Sequence, residues 1–215
     1  MVHPIEQRPG AQQWVPERGG LRALRTAVAD CRGCELWQDA TQAVFSEGRS
    51  DARMMLVGEQ PGDREDIAGE PFIGPAGRRL DDALEAAGLD RNRLYLTNAV
   101  KHFRFERRGP RRIHDKPAVG HIDACRPWLA AEIAAVAPEV IVAMGTTAAR
   151  SVLGRNVRIG EARGTVLESS DASATPTVVT AHPSSLLRIP DHAARETAFR
   201  AFVDDLRLAA EVTAE

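Results

Sequence analysis

Three cysteines and six histidines hold most of the metal-ligating chemistry in this chain. Cys31 and Cys34 form a Cys-x-x-Cys pair, and Cys125 lies far downstream where a helix is expected to begin. His102 directly follows an expected strand and is placed to sit near Cys125. Three thiolates and one imidazole suit a tetrahedral zinc ion or a single iron–sulfur cluster. The long gaps exclude a compact zinc finger, and spacing alone leaves zinc and iron–sulfur both open.

A second chemical stretch runs from Arg107 to Pro117 (RRGPRRIHDKP). It holds five arginines and lysines and one ionisable ring, His114. Over 101–119 seven basic residues, Lys101 among them, face only Glu106 and Asp115. That is net +5 in a chain of net −2, so the remainder is −7. Such a local reversal of sign fits a surface that meets an anion, most simply a nucleic-acid backbone. Gly109-Pro110 cannot continue a helix or a central strand, so the stretch reads as an exposed basic loop.

The elements that must position these groups alternate. Leu21 to Ala29 has apolar residues at helical spacing. The apolar run at 54–57, ending in Gly58, reads as a buried parallel strand feeding a loop. Residues 61–76 read as loop, 78–87 as an amphipathic helix, and 93–100 as the second strand. A helix over 122–136 ends before Pro138, and 140–144 is the third strand. Another helix starts near Thr146, two further strands span 165–168 and 177–181, and 192–210 is a final helix with an apolar stripe.

This alternation predicts an α/β three-layer sandwich with a mostly parallel central sheet. Ligands in such sheets bind beyond the carboxyl ends of the strands. The rule selects Glu59 and Gln60, Asn98, Gly145 with Thr146, and His182 as polar groups that converge on one edge. Residues 1–18 are expected to be a loose arm, and 19–212 a single domain. With 43% hydrophobic and 27% charged residues, no apolar run near ~20 residues and no signal-peptide core, a cytoplasmic protein is expected. Three cysteines do not build a disulfide framework.

Four motifs carry a resemblance. Gly58-Glu59-Gln60-Pro61-Gly62, Pro71 to Gly77 (PFIGPAG), Leu96 to Lys101 (LTNAVK) and His182-Pro183-Ser184, together with their order over roughly 21–210, resemble the iron–sulfur uracil-DNA glycosylases of family 4. Gln60 stands where that family usually has Ala, His102 where it has Cys, and Arg111 to His114 is an insertion. These departures resemble the UdgX branch, its mycobacterial form most of all, whose members become covalently attached to DNA. The resemblance implies a structural [4Fe–4S] cluster on Cys31, Cys34, His102 and Cys125.

It also implies roles at the reacting centre. Phe72 stacks on a flipped uracil, and Asn98 accepts from uracil N3–H and donates to O4, a pattern cytosine reverses. Gly58 and Gln60 border the base. His182 donates to O2 of the departing anion. Asp63 stabilises the sugar cation or orients water, Asp66 is a weaker candidate, and Glu59 with Gln60 shapes the pocket. His114 attacks C1′, while Arg111, Arg112 and Lys101 hold phosphates. The partner is uracil-containing DNA, preferably single-stranded, and the protein is expected to be a monomer with no membrane association.

Overall fold

The apolar runs at 54–58 and 140–144 form neighbouring parallel strands. In the computed structural model, which describes residues 8–168 and 174–213, they are two of eight strands among the described residues. These are β1 (Ser46–Gly48), β2 (Met54–Gly58), β3 (Tyr95–Asn98), β4 (Phe105–Arg108), β5 (Arg111–His114), β6 (Val140–Met144), β7 (Val166–Glu168) and β8 (Pro176–Thr180). The helices are α1 (Gly20–Ala27), α2 (Asp63–Ala68), α3 (Pro75–Ala87), α4 (Val119–Val136), α5 (Gly145–Leu153), α6 (Ile159–Ala162), α7 (Pro183–Leu186) and α8 (His192–Val212).

The main sheet has the order β1-β3-β2-β6-β8-β7. Its four central strands are parallel, and the short edge strands β1 and β7 run antiparallel. The expected three-layer α/β sandwich is present. Side chains alternate across the pleat. Leu56, Leu96, Val142 and Val178 therefore face Leu80 and Leu84 of α3 and Phe202 and Leu206 of α8. Met55, Val57, Ile141 and Val179 face the other way, onto Leu129 and Ile133 of α4 and Ala148 and Val152 of α5. Each fully buried side chain of this size contributes about 1.5–3 kcal/mol. A third cluster joins Leu24, Val28, Phe45 and Trp128 around the three cysteines.

Three expectations change. The basic stretch is an antiparallel hairpin, with Arg107 opposite Arg112 and Arg108 opposite Arg111. Gly109-Pro110 is its turn. Most of the hairpin is exposed, so no apolar alternation marks it in the sequence. Within 61–76, α2 forms, and it buries Glu65 and Asp66. Of the expected loose arm, residues 1–7 lie outside the described residues, and the rest is fastened down from Arg8. Gly10 N–H donates to Gly33 O at 3.0 Å and Ala11 N–H to Ala124 O at 2.9 Å. Arg8 pairs with Glu35 at 2.6 Å. No helix among the described residues is long and apolar enough to cross a membrane.

Candidate active site

Strands β3, β2, β6 and β8 end along one edge in that order, and residues that follow them open onto one cavity of about 950 Å³. Glu59, Gln60, Asn98 and His182 all line it, as do Phe72 and His114 from loop and hairpin. Gly145 and Thr146, at the end of β6, complete the edge.

Gly58 is the floor of the aromatic slot. A Cβ there would lie 2.4 Å from Asn98 Oδ1 and 2.6 Å from Phe72 Cζ. Only a glycine lets the amide and the ring come this close. Phe72 itself holds a left-handed φ of 57°, a strain of about 1–3 kcal/mol for a non-glycine residue. The loop sustains it: Gly74 N–H donates to the buried Glu65 Oε1 at 2.8 Å. Gly77 lies so near that a Cβ on it would fall 1.6 Å from Phe72 O.

His182 has a defined tautomer. Its Nδ1 accepts from Ser184 N–H at 3.2 Å and lies 2.8 Å from Ser184 Oγ. The ring proton therefore sits on Nε2, which is left as a donor. Burial, opposed by Glu59 and reinforced by the charges of His114 and Arg188, pushes the imidazole pKa down to about 4. His182 is thus a neutral hydrogen-bond donor at physiological pH.

His114 closes the opposite side. Its side chain is 48% exposed, and its Nε2 lies 3.4 Å from Glu59 Oε1 and 3.0 Å from Gln60 Nε2. Glu59 is in turn held by Thr147, whose hydroxyl donates to Oε2 at 2.5 Å. Gln60 works as a buckle. Its Oε1 accepts from Arg104 N–H at 3.0 Å, and its Nε2 reaches Arg104 O and Asp115 O, each at 3.1 Å. These partners fix which end of the amide is nitrogen. Its two hydrogens thus have two carbonyl acceptors, and His114 Nε2 lies beside the same nitrogen. The Gln60 side chain is therefore spent on holding the hairpin and His114.

Lys101 takes a place that a phosphate contact does not allow, and Arg112 is committed to carboxylates. Arg112 binds Asp63 Oδ1 and Asp66 Oδ2, both at 2.6 Å, with only 14% of its side chain exposed. It locks β5 onto α2, and Asp63 and Asp66 serve as its anchors. Asp63 still lines the cavity. Lys101 is wholly buried and paired with the equally buried Glu132, so it cannot touch DNA. Its Nζ also donates to Thr97 Oγ1 at 2.7 Å and Asn98 O at 2.9 Å. Lys101 is a buried brace under Asn98. Arg111 alone of the three is exposed, alongside Arg107 and Arg108 on the same hairpin.

Cys31, Cys34 and Cys125 are buried and unbridged. Burial pushes the thiol of Cys34 up to about 11 and that of Cys125 up to about 12. N–H groups aim at all three sulfurs: Trp128 Nε1 at Cys31 Sγ, 3.2 Å, Lys101 N at Cys125 Sγ, 3.3 Å, and the backbone of Leu36 at Cys34. His102 is buried too, which pushes its imidazole down to about 4, with Asp66 and Arg32 as lesser influences. Among the described residues no three such side chains converge tightly on a single ion. The N–H donors to sulfur offset part of the thiols' burial and suit thiolates that carry a cluster.

Sequence reasoning missed the supports: Glu65, Thr147, Glu132 and Ser184. Only Ser184 stands inside one of the four motifs. The others are ordinary helix residues, and the partners of Thr147 and Glu132 are distant in sequence.

Residues 45–207 match the model of the uracil DNA glycosylase superfamily. A Type-4 uracil-DNA glycosylase of Pyrobaculum aerophilum is 33% identical over 175 residues, 79% of this chain and 86% of that protein. One from Thermotoga maritima is 36% identical over 169 residues, 78% and 83% of the two chains. One from Sulfurisphaera tokodaii is 36% identical over 136 residues, with this chain spanning 59% of its length. With the family model covering most of its length, the chain belongs to the uracil DNA glycosylase superfamily.

Proposed function

We propose that the chain is a uracil-DNA glycosylase of DNA repair that ends covalently attached, through His114, to the sugar it has stripped. The observation that carries this reading is one cavity with Asn98 and Phe72 packed close over Gly58, a neutral donor, His182, and a half-exposed imidazole, His114, beside Glu59 and Gln60.

The substrate is uracil-containing DNA, single-stranded by preference, because an unpaired base enters the slot without breaking a duplex. The ring stacks on Phe72, worth about 1–3 kcal/mol. The Asn98 amide pairs with N3–H and O4. The C1′–N1 bond then breaks with its electron pair going to uracil. His182 Nε2–H donates to O2 as negative charge builds there, an effect typically worth about 100- to 1,000-fold in rate. Glu59 and Asp63 offset the positive charge left on the sugar.

A nitrogen lone pair of His114 next forms a bond to C1′. The imidazole loses the proton on its other nitrogen to solvent, and the new C–N bond has a poor leaving group. The protein is then spent after one event and acts as a monomer. Cys31, Cys34, His102 and Cys125 would hold a [4Fe–4S] cluster, which supplies structure rather than electron transfer. The residues around it fit that purpose: buried unbridged thiols and N–H donors to sulfur.

Single-stranded oligonucleotide containing one uracil tests the reading. Free uracil and a protein–DNA band stable to SDS and heat are both expected, and iron with acid-labile sulfide in the purified protein. Uracil release without the band contradicts attachment, and no release contradicts the enzyme.

A further inference from the structure

A second groove of about 380 Å³ lies between α3 and α8, lined by Pro75, Arg78, Arg79, Leu187, Arg195 and Glu196 among others. Pro75 and Leu187 also line the large cavity, so the two hollows share a rim. No hairpin residue lines the groove. It therefore leaves the cavity away from the basic hairpin.

The arginines of this groove are less satisfied than Arg91 and Arg112. Arg91 meets Glu47 and Asp81 at 2.7 Å each, and Arg112 meets its two carboxylates at 2.6 Å. Arg79 reaches Asp82 only at 3.3 Å and Glu196 at 3.9 Å. Its guanidinium lies 3.8 Å from the Phe199 ring centroid, and its Nε is buried with no hydrogen-bond partner among the described residues. Arg195 gives one bond, to Ile189 O at 3.1 Å. Arg78 is exposed on the first turns of α3. Charge-assisted N–H···O bonds normally close to about 2.7–2.9 Å, so spare donors remain here for an anion with several oxygens.

We propose that this groove is a second phosphate subsite. It takes the backbone of single-stranded DNA after the strand has passed the base pocket, on the side opposite the hairpin. The proposal rests on the glycosylase reading above and adds a direction to it: hairpin, base slot, α3–α8 groove. Arg78 and Arg195 make the contacts, and Arg79, stacked on Phe199, stiffens the wall. Backbone contacts position a strand without reading its sequence, which suits a site that must accept uracil in any context.

The test uses the whole protein with Arg78→Gln and Arg195→Gln combined. Arg79 is left alone because its stacking supports the fold, and thermal melting confirms that the double variant is folded. Binding is measured for uracil oligonucleotides extended on the 5′ side only, on the 3′ side only, or on neither, at several salt concentrations. Uracil release is measured alongside. Wild type should gain affinity with extension on one side, and the double variant should lose that gain while binding the unextended oligonucleotide like wild type. Two lost single-strand contacts lower the salt slope by about 1.4. Between 50 and 200 mM salt the wild type should thus lose about seven-fold more affinity than the variant. An unchanged length dependence and slope, or an equal loss for short and long oligonucleotides, overturns the subsite. A wild type that releases no uracil from any of them overturns the glycosylase reading instead.

Discussion

Replacing Lys101 with Met tests the brace under Asn98. The substitution keeps the length of the side chain and removes its charge. Glu132 is then a carboxylate with no exposure and no cation. Removing one partner of a buried pair costs about 3–5 kcal/mol, which in a domain of this size lowers Tm by about 6–20 °C. Removing Glu132 as well, in Lys101→Met with Glu132→Leu, should recover much of that. Tyr95 OH keeps Ser46 Oγ at 2.8 Å, and Thr97 Oγ1 keeps Phe45 O at 3.1 Å. What stays lost are the donors to Asn98 O and Thr97 Oγ1, a buried acceptor left unsatisfied costing about 1–3 kcal/mol. Thermal unfolding followed by circular dichroism should therefore rank wild type above the double variant and the double variant above the single. A double variant melting at or below the single one refutes the claim that the stranded Glu132 charge, rather than the lost bond to Asn98, is what destabilises Lys101→Met.

Gly58→Ala pushes a methyl group into Phe72 and Asn98. Overpacking of about 1–3 kcal/mol should slow uracil release by about 5- to 150-fold, read by single-turnover kinetics. Arg107→Gln with Arg111→Gln should lower the salt slope of single-strand binding by about 1.4, whereas Arg112→Gln should lower Tm by stranding the buried Asp66. The His182 imidazole is held down to about 4 in the folded state, against 6.5 ordinarily. The unfolded chain thus takes that proton first. This contribution to stability is complete above pH ~6.5 and is lost as pH falls through about 4. His182→Gln should flatten urea-unfolding stability across that window.

Much of the site was legible because strand ends in a parallel sheet are short steps from apolar runs that the sequence announces. Glu59, Gln60, Asn98 and His182 follow such runs, and they meet at one cavity. Lys101 was misread for the same local reason. It stands in a basic stretch, and charge summed over a window cannot show that Glu132, thirty-one residues on, buries it. The ion pairs of Arg112 were hidden likewise, since Asp63 and Asp66 lie before it by 49 and 46 residues. The hairpin escaped because both of its faces are largely wet. The docking of Arg8 to Ala11 rests on backbone bonds to Gly33 and Ala124, which leave no trace in side-chain pattern, and on an Arg8–Glu35 pair 27 residues apart.

The central claim is that breaking the glycosidic bond and trapping the sugar belong to different histidines. Wild type, His114→Ser and His182→Ala are incubated with uracil-containing single-stranded DNA, and free uracil and heat-stable complex are measured side by side. His114→Ser should still release uracil, leave an abasic site and form no complex. His182→Ala should lose both together, by about 100- to 1,000-fold in rate. If His114→Ser forms the heat-stable complex in full yield, His114 is not the attacking residue and the account of trapping is wrong.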